Sequence, residues 1–177
     1  MASELIVQTL KGPTSGDNAN KVIIPSGQTL DIDAWTPPAG TVLQVVQATT
    51  TTEVATTSNS HTDTGFSASI TPSSTSSKIL IIGTATLRAG SGGNNYQHTI
   101  KRNGTTNLAP NQTRGFIQFR DAGGSLSDGT FTAMYLDSPS TTSSTTYNWY
   151  HRSEGSVTCR FVVDGSYAQL TLMEIAG

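Results

Sequence analysis

Three histidines, two closely spaced aspartates and a single cysteine have the widest chemical reach in this chain of 177 residues. His61, His98 and His151 carry imidazoles able to ligate a metal or move protons near neutral pH. They stand far apart without close ligand spacing, which favours ordinary exposed or half-buried side chains over a metal centre. Asp31 and Asp33 alternate onto one strand face, where paired carboxylates could do acid–base work or hold calcium. No second acidic cluster accompanies them, so a solvated strand face is the simpler reading. The run DAGGSLSD, 121–128, has the acids of a calcium-wrapping loop but follows neither the EF-hand nor the nonapeptide order. Cys159, beside Arg160 in a strand-like stretch, reads as a small buried or half-buried side chain, and a lone cysteine forms no internal disulfide. Gly90-Ser91-Gly92-Gly93 lacks the Gly-Lys-Ser/Thr of a phosphate loop, and no G-x-S-x-G elbow occurs. The sequons at Asn103 and Asn111 acquire meaning only in a secreted protein. These residues predict a protein that is not an enzyme and has no catalytic residue, cofactor or resident metal.

The aromatic stretch Tyr147 to Arg152 offers binding chemistry instead. Alternation places Tyr147, Trp149 and His151 on one face and Asn148, Tyr150 and Arg152 on the other. With Tyr147 and Trp149 filling the core, Tyr150 and Arg152 face outward, an aromatic ring and a guanidinium suited to stacking on a sugar and bonding its hydroxyls. A decorated strand edge is the plainer reading. Tyr150 and Arg152 are thus the candidate sugar-contact pair.

The elements that would position these groups are strands. Charged residues make up 12% of the chain, about half the usual share, and hydrophobic ones only 34%. Thr, Ser, Asn and Gly fill the difference; β-branched Thr suits a pleated surface and the others supply turns. Short apolar or alternating runs recur at Val42–Ala48, Phe66–Ile70, Lys78–Leu87, Tyr96–Arg102, Gly115–Arg120, Thr130–Asp137, Tyr147–Arg152, Thr158–Val163 and Ala168–Ile175. Turn signals separate them, Asn103-Gly104 being the dipeptide that tight hairpins prefer. No window carries a helical stripe. The pattern predicts an all-β, antiparallel sandwich or barrel.

A net charge of −2 supplies no basic field for nucleic acid. Met1-Ala2-Ser3-Glu4 has no basic n-region, and no run approaches the length of a membrane span, so the expectation is synthesis in a cytosol without a standard export signal or membrane insertion. The first forty residues differ in texture. Leu5-Ile6-Val7, Lys21–Ile24 and Thr29–Asp33 are too short and sparse to build a core, and Trp35-Thr36-Pro37-Pro38-Ala39-Gly40 closes the segment stiffly. This predicts an N-terminal β arm over 1–40 and a main domain over 41–177.

Alternation within the main domain leaves two apolar faces. In Ala168–Ile175, Ala168, Leu170 and Leu172 oppose Thr171, Met173 and Ile175; in Thr130–Leu136, Phe131, Ala133 and Tyr135 oppose Met134 and Leu136. A monomeric sandwich normally keeps the second face polar. With no helix pattern to cover it, a second copy of the chain is the favoured partner, with Thr171, Met173 and Ile175 at the subunit interface.

VLQVVQATTTTEVATTSNSHTDTGFSASITPSSTSSKILIIGTATL, then AMYLDSPSTTSSTTYNWYHRS, then the terminal LTLMEIAG, resemble a group of phage virion proteins common in marine phages. Their distal domains are similar to the C1q and TNF jelly roll. GPTSGDNANKVIIPSGQTLDIDAW likewise resembles N-terminal segments of those proteins. The resemblance implies a homotrimer with its inner sheets about a three-fold axis, located in the virion, and an arm that joins it to other virion proteins. It also implies an outward-displayed fibre or knob that contacts a host glycan, or alternatively a decoration protein that stabilises the head shell. A polysaccharide-degrading enzyme is a third class, disfavoured because the main domain has few Asp and Glu. In this frame Ser138–Thr146 is a loop or tight crossover between two long antiparallel strands, its hydroxyls satisfying exposed backbone.

Overall fold

The computed structural model describes residues 13–17, 23, 26–27, 36–90, 95–120 and 127–177. Asp31, Asp33, the arm's expected strands apart from Ile23, and residues 121–126 of the acidic run lie outside them. The chain divides into two units, Met1–Thr36 and Pro37–Gly177. The second unit is all β. Its strands are β1 (Val42–Thr50), β2 (Val54–Thr56), β3 (Thr62–Ile70), β4 (Lys78–Ala89), β5 (Asn95–Arg102), β6 (Thr106–Asn107), β7 (Ile117–Arg120), β8 (Ser127–Asp137), β9 (Thr145–Ser153), β10 (Cys159–Phe161) and β11 (Ala168–Ile175).

They form two antiparallel sheets. In the first, β4 pairs β8 along one edge and β11 then β10 along the other, with β1 outside β11 and β2 outside β10. In the second, β9 lies between β3 and β5, and β5 pairs β7 and β6 on its far edge. The orders β1-β11-β4-β8 and β3-β9-β5-β7 make a jelly-roll sandwich, because successive strands repeatedly cross from one sheet to the other. Ser138 to Ser144 is one such crossing: β8 belongs to the first sheet and β9 to the second, so this hydroxyl-rich segment is an inter-sheet crossover rather than a hairpin.

The core is set by the inward residues of the long strands. Ile79, Ile81 and Leu87 of β4 and Leu170 and Leu172 of β11 meet Tyr96, Ile100, Tyr147 and Trp149 of the other sheet, all of them buried. Phe161 packs 5.4 Å from Trp149, ring centre to ring centre. Full burial of such side chains contributes roughly 1.5–3 kcal/mol each for the aliphatic and Phe groups.

Local chemistry explains where the regular pattern breaks. Asn103 and Gly104 both have positive φ, 51° and 70°, and the Thr105 amide donates to the Arg102 carbonyl, giving the hairpin turn expected of Asn-Gly. The register of β3 against β9 shifts between Asp63 and Ser67, where Gly65 takes φ +74° and donates its amide to the Asp63 carboxylate. The expected strand Thr158–Val163 is shorter, Cys159–Phe161, because Val162 turns to φ +58° so that its amide can reach the Thr86 carbonyl. A β-branched residue there is strained, and pairing holds it in place.

Candidate functional site

Among the described residues, the outer face of the first sheet carries apolar side chains without an intramolecular explanation. Register sets Val45, Met173, Leu80 and Leu136 in one row across four strands, and Gln47, Thr171, Ile82 and Met134 in the next. Val45 is 55% exposed, Met134 66% and Leu136 47%, while Met173, Ile175, Leu80 and Ile82 are half-buried by one another. No described segment packs over them. Beyond these rows the face turns polar: Thr84 and Thr86 bond Thr132 and Thr130 at 3.0 and 3.1 Å, and Arg88 grips Asp128 at 2.6 Å and also pairs Asp164. That pairing holds the Asp128 carboxyl below its ordinary range. The face therefore has an apolar centre at one end and a neutralised polar rim at the other, the layout of a contact surface.

Thr171, Met173 and Ile175 all lie on this face, as alternation requires, but they are not equivalent. The Thr171 hydroxyl accepts from the amides of Gln47 at 3.3 Å and Gln169 at 3.2 Å, which seal it within its own sheet. Met173 and Ile175 remain available. Val45, Leu80 and Ile82 extend the apolar rows, together with Met134 and Leu136, whose outward direction the alternation had already given.

The outer face of the second sheet is of opposite character. Tyr150 and Arg152 lie on it as expected, yet both are half-buried and engaged rather than freely exposed. Arg152 donates from Nε to Gln97 Oε1 at 2.6 Å and from Nη1 to the Asn59 carbonyl at 3.1 Å. The Tyr150 hydroxyl donates to the Gly104 carbonyl at 3.4 Å, and Lys101 Nζ stands 4.3 Å above its ring. Burial, then the nearby Asp63 carboxylate, raises the phenol above its ordinary value.

Two concavities among the described residues bear on recognition. The larger, about 540 Å³, lies among Arg102, Asn107, Pro110, Gln112, Tyr135 and Leu136. Its charge is satisfied internally: Arg102 Nη1 lies 2.9 Å from both oxygens of buried Asp137, which also accepts the Tyr147 hydroxyl at 2.8 Å. The other, about 390 Å³, is walled by Lys101, Arg152 and His61 with the amides of Asn59, Asn107 and Gln112.

The histidine expectation is corrected in part. His98 and His151 are neither exposed nor half-buried; both are fully enclosed between the sheets, and only His61 is half-buried. The β5–β9 register pairs them directly, 6.0 Å apart between ring centres. Trp149 Nε1 donates to His98 Nδ1 at 2.8 Å, which fixes that nitrogen as an acceptor, and the Tyr96 hydroxyl bonds His151 Nδ1 at 2.7 Å. Burial drives His98 well below its ordinary value, and His151 down to about 4, each with a smaller push from neighbouring imidazoles. Among the described residues no group of three or more His, Cys, Asp or Glu has metal-binding geometry. Cys159 is buried, its thiol 3.4 Å from Ser153 Oγ.

One structural carboxylate escapes sequence reasoning. Glu174 points inward and accepts from Gln44 Nε2 at 2.6 Å and from the amide and hydroxyl of Ser73, each at 2.7 Å. Burial opposes its ionisation, but these bonds, with one from Ser77, together hold it below the ordinary 4.5. It pins the turn after β3 to the last strand.

No family model and no curated protein matches the chain. It is similar to solved structures from infectious bursal disease virus. With the VP2 subviral particle it shares 16% identity over 92% of this chain and 49% of that one, with a TM-score of 0.39. With the T=1 particles derived from that virus it shares 16% over 93% and 48%, with a TM-score of 0.33. With the Gx strain it shares 15% over 95% and 50%, with a TM-score of 0.31. The chain thus spans about half the length of these chains.

Proposed function

We propose that the chain is a non-enzymatic structural protein of a phage particle, a homotrimer whose jelly roll is displayed outward and contacts the host surface. The observation that carries the assembly part is the uncovered apolar end of the first sheet, with Val45, Met134 and Leu136 about half exposed or more. Exposed apolar area of this kind costs solubility unless it is covered, and a second and third copy of the same face supply chemically matched cover. The low charge of the domain serves the same end, because few ions have to be desolvated on contact. The number three and the virion location follow from the resemblance of 41–177 to phage virion proteins, and the arm, 1–40, is the segment assigned to join other virion proteins.

Light scattering of the purified chain at micromolar concentration tests the assembly. A trimer is expected, and Met173→Asp or Met134→Asp, each placing three carboxylates in the apolar contact, is expected to dissociate it at a cost of several kcal/mol per trimer. A wild-type monomer, or variant trimers as tight as wild type, would overturn this face as the interface. Virions stripped of the protein decide the role outward: failure to adsorb supports the fibre or knob, whereas normal adsorption with readier bursting assigns the protein to shell decoration.

A further inference from the structure

The smaller concavity on the outer face of the second sheet is electrostatically unusual for a chain with more acids than bases. Among the described residues its wall contains two cations, Lys101 and Arg152, and no aspartate or glutamate. Among the described residues neither cation is in an ion pair. The wall is also prebuilt. Arg152 is held at Nε and Nη1 by Gln97 and Asn59, and Gln112 Nε2 donates to the carbonyls of Asn107 at 3.2 Å and Ala109 at 2.9 Å. Asn107 answers with Nδ2 on the Gln112 carbonyl at 3.1 Å, while its Oδ1 accepts from Thr99 and from the Ala109 amide. Lys101 is steadied over the Tyr150 ring. Little ordering is left for a ligand to supply.

His61 reports the field inside this wall. It is pushed down to about 4 by burial first and by the charges of Arg152 and Lys101 next, and its Nε2 is enclosed without a partner. Two described acids on this side of the sheet stand outside the wall and are engaged elsewhere: Asp63 beside the Tyr150 hydroxyl, and Glu154 on Asn95 and Gln97. Three amide side chains and two cations that form no ion pair among the described residues offer donors and acceptors for hydroxyl groups around one negative charge. A volume of about 390 Å³ suits one or two sugar rings.

We propose that this concavity binds a carboxylate-bearing sugar, with Lys101 and Arg152 on the carboxylate and Asn59, Asn107 and Gln112 on ring hydroxyls. The proposal deepens the host-contact part of the function above and rests on that part; the site lies on a single protomer and needs no second copy. Tyr150 and Arg152 lie on the same face as this concavity, but the proposed sugar would meet the Lys101–Arg152 wall rather than the Tyr150 ring, which Lys101 already covers.

Calorimetric titration of the full chain tests it, with oligosaccharides of glucuronate, galacturonate, mannuronate and guluronate, matched neutral oligosaccharides and inorganic phosphate as probes. At least one acidic oligosaccharide is expected to bind ten-fold or more tightly than its neutral match, and more weakly as salt rises. Thr113→Asp sets a carboxylate on the exposed rim and Lys101→Gln removes a cation; each is expected to weaken binding ten-fold or more with melting temperature and oligomeric state unchanged. Equal binding of acidic and neutral probes, no binding of any acidic probe, or undiminished binding by both variants would overturn the site. Phosphate that displaces the sugar at equal concentration would overturn the sugar class. A monomer that binds the acidic sugar supports the site while removing the assembly reading, and a trimer that binds none removes the site alone.

Discussion

Sealed between the sheets, His98 and His151 stay neutral because a charged imidazole there has no water and no carboxylate to face. Their folded values, and that of His61, lie below the ordinary 6.5. Below pH 6.5 the unfolded chain therefore takes up protons that the native chain refuses. Stability is complete above that value and falls as the pH drops toward 4, by up to about 1.4 kcal/mol per pH unit for each fully buried histidine and less for His61, which keeps some water. Glu174 and Asp128 act in a lower window, because their depressed values cost stability only as the pH falls through the ordinary carboxylate range and beyond. Urea midpoints between pH 7.5 and 4.5 check this, and a flat profile would contradict it. The double variant Tyr96→Phe/His151→Phe removes both partners of one buried hydrogen bond, so it should flatten the slope at small cost at pH 7. None of this was visible in the sequence, where the two histidines lie more than fifty residues apart; only the β5–β9 register makes them neighbours. The inward direction of Trp149 was visible, because alternation alone settles it.

At the scale of the strand, Gly83 shows how one sheet makes room for the other. It sits in β4 with the inward residues, and a Cβ built there would fall 2.4 Å from Trp149 Cζ3. Gly83→Ala is expected to cost about 2 kcal/mol through overpacking. Thr84→Ala, one position along on the outer face, should cost less than about 1 kcal/mol, since it loses only a cross-strand hydroxyl pair. Chemical denaturation of both variants reads the contrast directly. Long strands were legible because β4, β8 and β11 alternate over eight or more residues with two apolar faces. β2 and β6, of three and two residues, were not, since so short a run carries no period and exists only through its pairing with β10 or β5. The end of β10 was illegible for a different reason: nothing about Val162 in sequence announces a left-handed backbone, which a distant carbonyl on β4 imposes.

Across the whole molecule, the two outer faces carry the two proposed contacts, self-association on the first sheet and an acidic sugar on the second. The unit from Pro37 to Gly177 carries both of them and the shared core. A chain beginning at Pro37 is therefore expected to fold, to melt within a few degrees of the full chain and to keep its oligomeric state, while no longer joining the particle. Scanning calorimetry and incorporation into virions check the two halves of that expectation. The sandwich was legible at this scale from strand spacing, and the uncovered face from double alternation; the cationic wall was not, because its residues come from β5, β6, β9 and the turns beside them, which share no stretch of sequence. Cys159 gives the molecule a built-in clock. It is the chain's one sulfhydryl, enclosed in a strand that is paired on both sides, to β2 and to β4. An alkylating reagent can reach it only when β10 peels away, so the rate of thiol capture in native buffer measures how often the layers part. If copies associate as proposed, their contact would slow that capture without any covalent link between them, and one sulfur per subunit would be enough to time the opening of the assembly.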